Sequence, residues 1–533
     1  MSYVNARLEQ DVRFTMKQIP QDLLGEIRTR LRDESDGSND VIRLLQFLTY
    51  TEQPLTSSEA IEILATQLDT DPPHFNVEKR LFRDEDLLQY CPSLLSLIAP
   101  SPHRRESRKV RLSHKTVKDF LLCEGAQKFE PNSASIAITR TALIYIRDID
   151  SEVTLEDALA RFSLAERAAT MLLKFARRAE ADDVVLPEMM SFLLDPLALD
   201  RWCRLSQIST GDHQLSPLFI ACKLGLLRVT RQLLEDGVDV NEGSGTHVSA
   251  LFIASQEGHS EVVRLLLMHG ADVSAGDDTS WSPLVAASRE GRRETVRLLI
   301  GWGADVNAVS YTYGTAPKVA SENGHRDIVR ALIDRGADVN ANIEGRNHPI
   351  TLASSRGHVK VVQLLIDSGA TANGHALYEA SRNGHVGVVE LLLDEDPALL
   401  NHQSYMENPA LQAALEGGHG RIVEILRSHI LCHAVIAEDY DSVEALLDEG
   451  ASPDKSSCLG TPLKIAAGKR NVSIVKLLLQ KGADISIAAD GDDLVTYYKD
   501  SLGLKTSKEI LRLLYEHQSS GLTYDELYDF VKG

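Results

Sequence analysis

The residues with chemistry to offer fall into three groups. The first is a set of histidines, His259, His325, His358, His385 and His419, each directly after a glycine. Each sits in a separate copy of a repeat. Packed helices lie about 10 Å apart, whereas metal–nitrogen bonds are about 2 Å, so the set cannot share an ion and reads as structural. No HExxH and no Cys/His cluster accompanies it. The second group is His114-Lys115-Thr116, at the junction of an expected strand and an expected helix. The third is the only basic cluster: His103, Arg104, Arg105, Arg108, Lys109, Arg111, Lys115 and Lys118. It reads as a solvated turn that meets acidic patches. Nucleic-acid binding through the Arg104–Arg111 turn is the weaker alternative, because no aromatic residues interleave to stack on bases.

The absent chemistry is as informative. No GxxxxGK[ST] occurs; the nearest text, Gly468-Lys469-Arg470, has Leu463 where the first glycine belongs. The backbone nest and lysine that hold nucleotide phosphates are missing, so nucleotide hydrolysis is not expected. No Ser/His/Asp or Cys/His constellation can be assembled either. The chain is read as a non-enzyme with no cofactor, no metal and no small-molecule substrate.

Bulk properties agree. The 533 residues carry a net charge of −21, with −8 over residues 1–200 and −13 over 201–533. Neither part has the Lys/Arg excess of a nucleic-acid footprint. The six cysteines are at least 19 residues apart and form no CxxC pair, which predicts free thiols in the cytoplasm or nucleus. No apolar run reaches the ~18 residues of a membrane span, and residues 1–8 show no secretory h-region.

The elements that carry these residues are set by a repeat. Gly225, Gly258, Gly291, Gly324 and Gly357 are spaced by 33 residues, and Gly237, Gly270, Gly303, Gly336 and Gly369 follow them by 12. Four of these copies open on Ser or Thr (Ser216, Ser249, Ser282 and Thr315) and the fifth on His348; Ser or Thr followed by Pro suits an N-cap and first helical position. Small Ala221, Ala254, Ala287, Ala320 and Ala353 let first helices pack closely. The first glycine supplies a left-handed turn, Val-x-x-Leu-Leu stripes the second helix, and Ala-Asp-Val-Asn leads into an extended finger. SPLFIACKLGLLRVTRQLLEDGVDVN and its successors resemble the ankyrin repeat. Later copies loosen: Glu438 and Arg470 stand where glycine is expected, and the connections at Asp394–Asn401 and Ser428–Glu438 are short and expected to be weak joints.

Residues 1–205 have no repeat. Asp40–Tyr50, Pro54–Gln67 with Ser57/Ser58 as caps, Asp84–Leu88 and Lys115–Cys123 read as helices, and Ser93–Pro100 with Arg108–His114 as a hairpin. Three small helices and a hairpin suggest a winged helix. Met189–Leu194 reads as core of the region that joins the array. The series QDLLGEI, LLQFLTYTEQPLTSSEAIEIL, EDLLQYCPSLLSL and VRLSHKTVKDFLL, then the entry to the repeats, resembles the part of fungal NACHT–ankyrin NOD-like receptors that follows their NTPase core, from about Tyr3 to about Ile485. The NTPase core itself is absent from this sequence, which reads as if the front of such a receptor were missing. The resemblance implies that His114 is a vestige of a nucleotide-sensing position.

The fold class expected is all-α, an ankyrin solenoid with an N-terminal winged-helix-like and helical domain. The expected boundaries are 1–128 for the winged-helix-like part, 129–205 for a helical linker, 206–485 for about nine repeats and 486–533 for capping helices. The function expected is a protein–protein interaction scaffold or sensor arm. The alternative is a regulatory fragment of a nucleotide-controlled receptor acting with an NTPase in trans. Partner contacts are expected from Trp281, Tyr311, Tyr313 and Arg346, large or cationic side chains of hot-spot type. Trp302 is expected to fill a seam between repeats.

Overall fold

The computed structural model describes residues 36–81, 83–90, 94–98, 108–113, 115–124, 127–149, 153–207, 215–242, 248–275, 281–310, 312–341, 348–400, 408–455 and 460–484, together with 510, 513 and 514. The chain is mostly helical and divides into two compact units, Met1–Asp278 and Thr279–Gly533.

The first unit begins with helix Asp36–Tyr50, which buries Val41, Leu44, Leu45 and Phe47. Helix Ser57–Ala65 follows, but its cap is Thr56 rather than either serine. The Thr56 hydroxyl accepts from the Glu59 amide while the Glu59 carboxylate accepts from the Thr56 amide. The expected hairpin is present as strands Leu95–Ile98 and Lys109–Leu112, antiparallel with Leu97 opposite Val110. A third strand, Leu55–Thr56, pairs with the other edge of Lys109–Leu112.

Helix Pro131–Arg147 organises the rest of this unit. It packs along helix Ala165–Ala179 and is clamped to helix Val185–Leu194 by Arg140, whose guanidinium donates to both oxygens of Glu188 at 2.7–3.0 Å. Tyr145, near its C-terminal end, donates to the buried carboxylate of Glu62, which also accepts the Leu164 amide at 2.7 Å and pairs with Arg80. Burial raises the pKa of Glu62 despite these partners. Met189, Phe192 and Leu193 are buried and line an apolar cavity with Leu143, Trp202 and Leu226, so this segment is core as expected. Leu194 faces out, 54% exposed.

The helical region caps the first repeat directly. Helix Leu227–Glu235 has no side-chain cap of its own, because its N-cap residue is Leu226. Glu180 supplies one from a distance of 47 residues in the chain. Its carboxylate accepts the amides of Leu227, Arg228 and Val229 at 2.8, 3.0 and 3.4 Å. These are orphan donors of a helix N-terminus, where negative charge is also favoured by the dipole.

The second unit is built of paired antiparallel helices. They are Pro283–Arg289 with Arg293–Gly301, Ala316–Glu322 with Arg326–Ile333, Pro349–Ser355 with Val359–Asp367, and Gly374–Arg382 with Val386–Glu395. The array then changes form. Helix Pro409–Glu416 pairs with one 17-residue helix, Gly420–Ile436, whose second half also packs against helices Tyr440–Asp448 and Pro462–Gly468. The expected weak joint at Ser428–Glu438 is therefore corrected. Nothing between Gly420 and Ile436 breaks a helix, and Ser428, Leu431, Cys432 and Val435 are buried within it. At the far end Ile510 and Leu514 are buried; most of 486–533 lies outside the described residues.

Candidate protein-binding surface

The repeat residues act across repeats. Ser216, Ser249, Ser282, Thr315 and Thr461 cap their first helices, each hydroxyl accepting the amide three residues on at 3.1–3.4 Å. The glycine that ends a first helix is left-handed, with φ +77° at Gly324. Its missing side chain has a second reason: the histidine of the next repeat lies on it. A Cβ on Gly324 would stand 2.7 Å from the His358 ring, and the same holds for Gly291 under His325 and Gly357 under His385. From that position each Nε2–H donates to a carbonyl of the preceding repeat: His325 to Arg289, His358 to Glu322, His385 to Ser355 and His419 to Arg382, all at 3.0 Å. The histidines are thus interlocks, as their spacing implied.

Asparagines fasten the finger bases in the same way. Asn307 donates to the Gly336 carbonyl at 3.2 Å and accepts the Asp338 amide at 2.9 Å; Asn340 does so with Gly369 and Thr371. Ion pairs between repeats add to this, Arg293 with Asp327 and Arg421 with Glu390 on the outer helices, and Lys455, in the segment after helix Tyr440–Asp448, with Glu424.

On this frame one finger stands out. Strands Val309–Ser310 and Gly314–Thr315 form a short antiparallel hairpin, with Ser310 opposite Gly314. Gly314 has φ +85°, and the Tyr313 amide donates to Ser310 Oγ at 3.3 Å, so the bend is closed on itself. The Tyr313 ring packs on Trp281, centroids 4.4 Å apart and planes tilted 33°. Arg289, the last residue of helix Pro283–Arg289, lays its guanidinium over both rings, 5.5 Å from the Trp281 centroid and 5.0 Å from that of Tyr313. All three side chains are half-buried. The Lys318 side chain lies over Gly314.

Two of the four residues expected to meet a partner are therefore brought together, Trp281 and Tyr313. Tyr311 and Arg346 lie outside the described residues, as does His114. Of the basic turn, residues 101–107 lie outside them too; Arg108 pairs with Glu85 and Arg111 donates to Ser96 at 3.2 Å. Trp302 does not fill a seam. It caps the C-terminus of helix Arg293–Gly301 and is 48% exposed. Arg289 was not singled out by the sequence, since that repeat position holds Lys223, Gln256, Arg289, Glu322 and Ser355 in turn.

Among the described residues no group of three or more His, Cys, Asp or Glu could hold a metal, and no helix is long and apolar enough to cross a membrane.

Comparison with known proteins bears on the repeats. A family model of ankyrin repeats in three copies matches residues 187–277, 218–310, 275–343, 318–404 and 350–430, and one of ankyrin repeats in many copies matches 431–493. Azaphilone pigments biosynthesis cluster protein L of Monascus ruber is 27% identical over 258 residues, 44% of this chain and 54% of that protein. The chain thus spans about half the length of that relative. The crystal structure of the human ASB11 ankyrin repeat domain is 26% identical, with a TM-score of 0.35, over 38% of this chain and 97% of that one.

Proposed function

The chain belongs to the ankyrin-repeat proteins, and on that premise we propose that it is a non-enzymatic scaffold whose second unit docks a protein partner on its fingers and first helices. Stacked repeats offer a continuous surface for this purpose. The observation that carries the reading is the cluster of Trp281, Tyr313 and Arg289. Two aromatic rings and an arginine are held rigid at the base of a finger, half-open to solvent. Aromatic and Arg side chains dominate binding energetics when water is excluded around them. A finger fixed by its own hydrogen bonds also loses little entropy on docking.

The test is site-specific photocrosslinking in cells, with p-benzoylphenylalanine in place of Tyr313 and, separately, of Trp302. A discrete crosslinked protein is expected at position 313 and not at 302. Crosslinks only at 302, or the same products at both, would overturn the assignment.

A second reading has its own support. Helix Asp36–Tyr50, helix Ser57–Ala65, the short helix Leu87–Tyr90 and the hairpin follow one another as in a winged helix, and a third strand flanks the hairpin. This favours the resemblance to the region behind the NTPase of fungal NOD-like receptors, and with it a regulatory role beside an NTPase in trans. A NACHT-type ATPase among the crosslinked products would select this reading.

A further inference from the structure

We propose that the partner presents an acidic segment, with one carboxylate received by Arg289 beside the Trp281 and Tyr313 rings and a second by Lys318. The proposal rests on the reading that this face of the second unit binds a protein, and it names the chemistry of that protein.

The starting point is a half-buried cation, Arg289, that two aromatic rings hold in place without a carboxylate beside it. In the second unit Arg293, Arg356, Arg421, Arg427, Lys455 and Lys481 pair with carboxylates, whereas Arg297, Arg326, Arg330 and Lys360, like Arg289 and Lys318, form no ion pair among the described residues. Arg289 differs from the other unpaired cations in being held against two rings at the base of a finger. The adjacent Glu290 is exposed and forms no ion pair with Arg289.

Geometry then sets what Arg289 can accept. Its flat face is taken by Trp281 and Tyr313. Stacking leaves the N–H edge of a guanidinium available, and that edge matches a carboxylate through two parallel hydrogen bonds. The rings fix the side chain beforehand, so ordering it on binding costs little. Lys318 lies with its stem and its ammonium over Gly314, which has no side chain to displace it. A guanidinium held against two aromatic rings suits a segment that carries an acidic side chain next to an apolar one. A strongly negative chain repels such a segment in general, so the local pair also confers selectivity over the rest of the surface.

The probe is a phage-displayed library of random 12-residue peptides panned against the full chain. The selected peptides are then measured by fluorescence anisotropy against wild type, Arg289→Gln, Lys318→Gln and Trp281→Ala, each checked for folding by circular dichroism. Expected are peptides enriched in Asp and Glu, weakened about 10–100-fold by Arg289→Gln. A comparable loss on replacing one peptide acid by its amide is expected too, as is weakening by added salt. Peptides lost with Trp281→Ala but indifferent to Arg289→Gln would overturn the acidic assignment and leave the docking surface standing. Peptides indifferent to all three substitutions, or no enrichment at all, would overturn the docking surface itself. Tighter binding of a phosphoserine peptide than of its Glu counterpart would move the ligand to a phosphorylated segment and also overturn the carboxylate assignment.

Discussion

Two glycines with the same backbone conformation should respond differently to the same substitution. Gly324 and Gly336 have φ of +77° and +82°. An alanine in either place pays for a left-handed backbone, about 1–2 kcal/mol, partly offset by the stiffer unfolded chain, about 0.4–1 kcal/mol. For Gly336 nothing lies within 4 Å of the new Cβ, so Gly336→Ala should cost only about 1 kcal/mol. At Gly324 the Cβ would lie 2.7 Å from the His358 ring, well inside the ~3.5 Å of a normal contact. The ring must retreat, and its 3.0 Å hydrogen bond to the Glu322 carbonyl lengthens or breaks. Losing that bond costs about 1–2 kcal/mol more, so Gly324→Ala should cost about 2–3 kcal/mol. In a His358→Ala background the extra term should vanish, giving a coupling of about 1–2 kcal/mol between positions 324 and 358. Urea unfolding followed by Trp fluorescence, with Trp281 and Trp302 reporting on this unit, measures all four variants. Equal costs at 324 and 336, or additive effects of Gly324→Ala and His358→Ala, would refute the interlock.

Two further outcomes follow from buried titratable groups. Glu180→Ala should remove the acceptor of three helix N-terminal amides and destabilise the first unit by about 2–3 kcal/mol; hydrogen exchange at the amides of residues 227–229 should accelerate, and unchanged protection would refute the capping role. His429 and His433 lie one turn apart in helix Gly420–Ile436, and burial lowers both pKa values below the ordinary range, against the opposing field of Asp394 at His429. The unfolded chain therefore binds protons first. Stability should be constant above the ordinary value of about 6.5 and fall as pH drops below it. The urea midpoint should track this, and His429→Leu should flatten the slope.

The repeats were legible because their signals are local. A Ser or Thr before Pro, a small residue on the first helix and a glycine after it each act within one helical turn. The observed caps at Ser216, Ser249, Ser282, Thr315 and Thr461 are those the pattern marks. Strand Leu55–Thr56 was missed for the same reason. It has two residues, too few for an alternating pattern, and only its pairing with Lys109–Val110 makes it a strand. The capping of helix Leu227–Glu235 by Glu180 has no local trace either. The aromatic cluster was half legible: Trp281 and Tyr313 stand out by type, but Arg289 acquires its significance from two rings that reach it across the fold.

The degenerate end of the array shows why local and cross-repeat signals decay together. Glu438 and Arg470 replace glycine yet keep its left-handed backbone, at φ 59° and 64°. The Glu438 side chain is tolerated because the partner that forbids one elsewhere is gone. The residue that should lie on Glu438 is Asn471, not histidine, and it donates to the Glu438 carboxylate at 3.2 Å instead. Gly418 is followed in the next copy by Asp439, and nothing stands within 4 Å of where its Cβ would be. The glycine is therefore demanded twice, by the turn and by the neighbour's imidazole. Once the imidazole is lost only the milder backbone penalty remains, which packing can offset. At Glu438 the sequence loses glycine where the following repeat has Asn471 in place of the interlocking histidine.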